Sequence, residues 1–363
     1  MKPDLPFAPP RRHAETADDD SLRYLARLLD TLDVPVDHDT IAPASRTLTR
    51  ALPSLPPPGG GRTLLRWRML AAIAAHDLSL AKIYEAHADA AAILAELGAA
   101  APRRGTVWAV WAAQMPGAEL RIVERDGDRV RLSGTRAWCS GAAFATDALV
   151  TCTDDDGRPW LAAVGLAQPG VEVGSGGWHA VGMAATGSVD VRFADANARL
   201  VGAANAYLER PGFWFGAAGI AACWYGAAAA LATRLADAAA RSDDPHRRAH
   251  LGAADAALSA ARALLRETAR EIDRAPDADA MASALRVRAA VESAVDAVMR
   301  ATARGLGAAP FCRDRWFARM AADLPVFVRQ SHAEHDLATL GGALVASATT
   351  TTTTTPERHA WTL

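Results

Sequence analysis

Three stretches of the chain bring chemically useful side chains close together. "GTRAWCSGAAFATDALV", residues 134 to 150, sets Trp138, Cys139 and Ser140 in succession ahead of an apolar run. Alternate residues of a strand face the same side, so Trp138 and Ser140 are expected to line one wall jointly while Cys139 points away. "SHAEHD", residues 331 to 336, puts His332 and His335 on one helix face with Glu334 and Asp336 beside them. An imidazole titrates near neutrality, which makes His332 a candidate proton acceptor. Two histidines do not make a metal site, and no metal is assigned. "HDLSLAKIYEAHADA", residues 76 to 90, offers Asp77, Ser79 and His87 in an alanine-rich helical pattern. A lone histidine there reads more simply as a satisfied core or surface residue than as a ligand.

The totals limit what such residues can serve. A chain of 363 residues is too long for one compact core, and three domains are expected. Half of the residues are hydrophobic and the net charge is −2, which describes a globular protein without the concentrated basic face that nucleic acid requires. Cys139, Cys152, Cys223 and Cys312 are scattered, with no CxxC pair, so a reducing cytoplasm is expected rather than a disulfide framework. The N-terminal "MKPDLPFAPPRRHAETADDD" has no apolar core of a secretory signal. "FWFGAAGIAACWYGAAAALA", residues 213 to 232, comes nearest to a membrane span. Its alanine and glycine content makes it a buried helix instead, and no membrane partner is expected.

The elements that must position these residues change texture twice. Residues 1–104 read as helical. "DDDSLRYLARLLDTL" opens on an aspartate cluster suited to N-capping, and "LLRWRMLAAIAAHDLSLAKIYEAHADAAAILAELG" continues as a helical pattern to a C-cap at Gly98. "ALPSLPPPGGGR" between them is a connector. Residues 105–208 carry short β-branched and aromatic runs separated by the turns "RDGD", "DDDGRP" and "QPG", which predicts an antiparallel β domain. Residues 209–347 return to alanine-rich helices, broken at "RSDDPHR" and "DRAPDADA", and predict an antiparallel bundle. Residues 348–363, rich in threonine, read as a disordered tail.

This order, with its motifs, resembles the acyl-CoA dehydrogenase family over roughly residues 20 to 345. In that family a strand after a "dG...lnG.K" turn carries a Trp-Ile-Ser/Thr triplet, and "RDGDRVRLSGTRAWCSG" reproduces turn, strand and triplet. "GWHAVGMAATGSVDVRFADANA" is similar to the family's "G.RG..t..v.F.dv.VP" strands, and the helix beginning near Phe213 has the family's arginine-containing exit, "LADAAARSDDP". The resemblance implies an α+β fold of N-terminal helical domain, middle antiparallel β-barrel and C-terminal four-helix bundle. It also implies a flavin, nominally FAD with FMN or reduced flavin as variants. Trp138 would pack on the isoalloxazine and Ser140 would hydrogen-bond its N5 edge. The backbone of Ala112 to Gln114 would meet the pyrimidine edge, and Arg241 would reach the FAD diphosphate of a neighbouring subunit, with Arg247 or Arg248 as substitutes. Asp77 and Ser79 fall where the family's first domain meets the substrate tail. A homo-oligomer, dimer or tetramer, with an acyl thioester or other small organic substrate, follows from the same likeness. So does an electron-transfer or flavin reductase partner.

Several family features are missing. The "TEP.AGSD" stretch is here the shorter "AAQMPGAE", and the arginine of "G.RG" is Ala184. Asp323 is similar to the aspartate of the family's "RD" pair, but the "YEG" turn that carries the catalytic glutamate falls on Gln330 to His332, where no carboxylate stands. α,β-Dehydrogenation of an acyl thioester needs a base for the α-proton. The resemblance nominally implies that reaction, with His332 as a non-standard base; the alternatives are a flavin-dependent monooxygenase of the same fold that uses reduced flavin and oxygen, and a non-catalytic flavin binder or scaffold.

Overall fold

A computed structural model describes residues 12–350 apart from positions 35 and 114. Helices come first: α1 (Arg12–Leu29), α2 (Ile41–Ala51), α3 (Thr63–His76) and α4 (Leu78–Glu96). Seven strands follow: β1 (Trp108–Trp111), β2 (Leu120–Asp126), β3 (Arg129–Cys139), β4 (Asp147–Thr153), β5 (Pro159–Gly165), β6 (Val171–Val173) and β7 (Val189–Leu200). The chain then returns to helix as α5 (Ala206–Glu209), α6 (Gly212–Ala240), α7 (Pro245–Arg274), α8 (Met281–Leu306), α9 (Ala309–Arg313), α10 (Arg315–Phe327) and α11 (Glu334–Thr350).

The strands pair in the order β1-β4-β2-β3-β7-β5, and β5 pairs back to β4, so five of them close a small barrel. Leu132, Cys139, Val150, Ala162 and Phe193 fill it. The barrel is not wholly antiparallel as expected. β1 runs parallel to β4, and β2 meets β4 in parallel at Arg121 and Thr153, because the β2–β3 hairpin intervenes before the chain comes back. Outside the barrel one hydrophobic core runs from Leu25 and Trp67 through Trp224 to Phe327, so the first and last groups of helices share it.

α6 is the centre of that core and packs against α3, α7 and α8. By length and composition alone it is apolar enough to cross a membrane, but most of its apolar stretch is buried inside the protein. Its small residues permit close approach: a Cβ on Gly226 would lie 2.1 Å from the carbonyl oxygen of Ala71 on α3.

Three helix boundaries differ from the sequence expectation. Asp18, Asp19 and Asp20 lie inside α1 rather than capping it, and they pair with Arg62, Arg68 and Arg23. The long pattern before Gly98 breaks at Asp77, whose backbone is extended and whose side chain accepts from the N–H groups of Leu80 and Val36. A buried carboxylate that satisfies two backbone donors competes successfully with helix continuation. Gly98 does cap α4, at φ 68°. At the other end, helix continues to Thr350 through the first residues of the expected disordered tail, and 351–363 lie outside the described residues.

Candidate active site

The site is built on an irregular strand end. Arg136 pairs with Val191 and Cys139 with Val189, so Ala137 and Trp138 together oppose the single residue Asp190. This is a β-bulge, and it holds Trp138 at φ 57°, a conformation rarely adopted by a bulky residue. The indole is 44% exposed, whereas Cys139 is fully buried in the barrel and its thiol pKa is pushed up by that burial. Trp138 and Cys139 therefore part as expected, but the bulge sets their directions. The backbone N–H of Trp138 donates to Asp190 Oδ1 at 3.4 Å.

Ser140, half-buried, is fixed through both its backbone and its side chain. Trp111 Nε1 donates to its carbonyl at 3.1 Å, and its hydroxyl lies 2.9 Å from that of Ser188. Ser188 Oγ is 2.8 Å from Thr186 Oγ1, which donates to the carbonyl of Met183 at 2.7 Å. Arg136, buried in β3, donates to the carbonyl of Ala113 at 3.0 Å and to both oxygens of Thr151. It thereby anchors the backbone leading to Gln114, which itself lies outside the described residues.

The turn expected to carry a base holds no carboxylate. Its carbonyl at Gln330 accepts from Arg288, a buried guanidinium on α8 that also donates to Ala217 of α6 and lies 4.8 Å over the Trp224 ring. Ser331 Oγ accepts from the N–H of Ala333. The His332 side chain is 76% exposed, with Nδ1 3.3 Å from Asp336 and its ring edge-on to His335. Among the described residues no three His, Cys, Asp or Glu side chains gather to hold a metal ion.

His87 is buried and satisfied. Its Nε2 lies 3.1 Å from the carbonyl of Pro53, and Nδ1 accepts from the N–H of Trp108 at 3.2 Å. That arrangement requires the neutral ring with the proton on Nε2, and burial accordingly holds its pKa below the ordinary value. A lowered folded-state pKa confers stability that is present above the unfolded pKa of about 6.5 and is lost as pH falls below it, by at most about 1.4 kcal/mol per pH unit. Urea unfolding at pH 7.5 and 5.5 should show the wild type losing stability relative to His87→Gln on acidification. A constant difference between the two proteins would contradict this.

Asp77 and Ser79, which the resemblance puts near the substrate tail, are also buried. Ser79 donates to Asp323 at 3.0 Å, and Arg319 donates to both. Arg241 is exposed at the C-terminal end of α6, while Arg247 donates to Gly305 and Arg248 to Asp243 within the chain. A groove of about 630 Å³ beside Tyr24, Leu55, Pro57 and Met69 contains none of the candidate residues. Sequence reasoning missed Thr186, Ser188 and Arg288. Small hydroxyls before a strand and an arginine inside a helix carry no local signal of their partners.

A helical core wrapped against a small closed barrel is a fold already known among solved structures. KijD3, in complex with FMN and dTDP-3-amino-2,3,6-trideoxy-4-keto-3-methyl-D-glucose, superposes with a TM-score of 0.74 at 20% identity, covering 94% of this chain and 95% of that one. Dibenzothiophene monooxygenase (TdsC) from Paenibacillus sp. A11-2 gives 0.69 at 18%, over 92% and 97%. Butyryl-CoA dehydrogenase from Megasphaera elsdenii gives 0.72 at 14%, over 94% and 100%. No family model and no curated protein matches the sequence. The chain is a divergent protein of the acyl-CoA dehydrogenase fold.

Proposed function

We propose that the protein is a flavin-dependent oxidoreductase that receives its isoalloxazine against Trp138 and Ser140. The observation that carries this reading is the exposed indole on a positive-φ bulge, two residues before a half-buried hydroxyl fixed from behind. A large aromatic held out in this way offers a face to a flat ligand. When bound, the flavin supplies reversible two-electron chemistry. Trp138 supports the ring, Ser140 presents an oxygen at its edge, and the backbone anchored by Arg136 lies ready for the pyrimidine side. KijD3 in its complex, and TdsC in one of its structures, carry FMN, which supports a flavin here, with FMN as well as FAD a fitting form. A diphosphate contact through Arg241 of a neighbouring copy would belong to FAD alone, so the two affinities report on that residue.

Of these readings, oxidation of a small organic substrate by oxygen and reduced flavin is the one we favour. Removal of an α-proton needs a base, and the 330–332 turn offers a backbone carbonyl tied to Arg288, a serine accepting from Ala333 and a solvent-facing histidine. A flavin reductase is then the fitting partner.

Absorbance spectra decide among the readings. The purified protein should bind flavin, should not bleach when an acyl-CoA is added anaerobically, and should consume oxygen once reduced flavin is supplied. Anaerobic bleaching by an acyl-CoA would restore the dehydrogenase. Absence of flavin binding in both redox states would leave only the scaffold.

A further inference from the structure

The hydroxyl chain behind Ser140 has only one self-consistent arrangement of protons. Thr186 Oγ1 lies 2.7 Å from the carbonyl of Met183, and a carbonyl only accepts, so the single Thr186 proton is spent there. The 2.8 Å contact between Thr186 and Ser188 must then use the Ser188 proton. The 2.9 Å contact between Ser188 and Ser140 must in turn use the proton of Ser140. Thr186 and Ser188 are buried, 1% and 4% exposed, so water does not relieve either of them. Ser140 therefore faces outward with lone pairs only.

We propose that Thr186 and Ser188 are positioning residues that make Ser140 a hydrogen-bond acceptor and thereby select the reduced flavin. This rests on the flavin reading above. The N5 of an oxidised isoalloxazine carries no proton and needs a donor, whereas the N5–H of the reduced ring needs an acceptor. The wild-type site matches the second and opposes two lone pairs to the first. Removing either inner hydroxyl frees the Ser140 proton to turn outward. Ser188→Ala leaves Thr186 bonded to Met183, and Thr186→Val leaves Ser188 free to donate to Ser140 while Ser140 donates outward.

The test is the ratio of dissociation constants for oxidised and reduced flavin, measured anaerobically by flavin fluorescence and absorbance titration with both FMN and FAD. Wild-type protein should bind the reduced form more tightly. Ser188→Ala and Thr186→Val should each reduce that preference by roughly five- to tenfold, the worth of one neutral hydrogen bond, chiefly by tightening the oxidised complex. Ser188→Thr, which keeps the hydroxyl, should restore it. Loss of packing alone would weaken both redox forms together and leave the ratio unmoved, and an unmoved ratio overturns the proposal while the flavin reading stands. Failure of wild-type protein to bind either form removes the flavin reading and this proposal with it.

Discussion

Asp323→Ala is expected to destabilise the protein by about 3–5 kcal/mol, the cost of leaving one half of a buried ion pair uncompensated. Asp323 is fully buried on α10, and its carboxylate accepts from the N–H of Met183 at 2.5 Å, from Ser79 at 3.0 Å and from Arg319 Nε at 2.9 Å. These donors come from the turn before β7, from α4 and from α10 itself, so one side chain ties three parts of the fold together. Burial pushes its carboxyl pKa up, and the Arg319 guanidinium opposes that shift. Arg319 is only 19% exposed and would remain without its carboxylate, beside an orphaned Met183 amide. Asp323→Asn, which keeps an acceptor, should cost distinctly less. Urea unfolding of the two variants at pH 7 measures both. A loss below 1 kcal/mol for the alanine variant would show that the network is already relaxed by water.

The same residue links stability to the site. Met183 sits at φ 59°, and the amide held by Asp323 belongs to the residue whose carbonyl terminates the hydroxyl chain from Ser140. The similarity of Asp323 to the family's aspartate was visible in sequence, but this service was not. A carboxylate on α10 and a backbone amide 140 residues earlier share no local pattern.

What was legible depended on how local its cause is. The breaks at "RSDDPHR" and "DRAPDADA" were readable because Asp244 caps α7 through His246 two residues on, with Pro245 opening the helix. The turns of the barrel were readable because their geometry restricts the residues that can occupy them. By contrast, the parallel pairing of β1 with β4 is decided by the barrel's closure, and the break at Asp77 by Val36, 41 positions away. Trp138, exposed at the end of β3, and Ser140, just past it, were both singled out in the sequence. The bulge that aims them was hidden, because it follows from a residue count on β7 rather than from anything in β3. His332 illustrates the converse: the residue type suits acid–base work, yet the start of α11 turns it toward Asp336 and solvent.

Trp138→Ala separates a ligand-supporting indole from a core one, because the two roles predict opposite balances of stability and binding. A buried tryptophan costs roughly 3–5 kcal/mol when truncated. Trp138 is 44% exposed and sits at φ 57° on a bulge, so truncation should change unfolding free energy by no more than about 1 kcal/mol. Trp138→Gly, which adopts that backbone without strain, should be as stable as the alanine variant or more so. Flavin affinity should move far more. Stacking of a flat heterocycle on an aromatic side chain is worth roughly 1–3 kcal/mol by alanine substitution, which corresponds to a five- to 150-fold weaker dissociation constant. Both redox forms should weaken together, since the indole face does not distinguish the N5 protonation state that Ser140 senses. Trp138→Phe should recover most of the binding. If the alanine variant instead unfolds at much lower urea while its flavin affinity is unchanged, the indole is a structural residue and the flavin lies elsewhere.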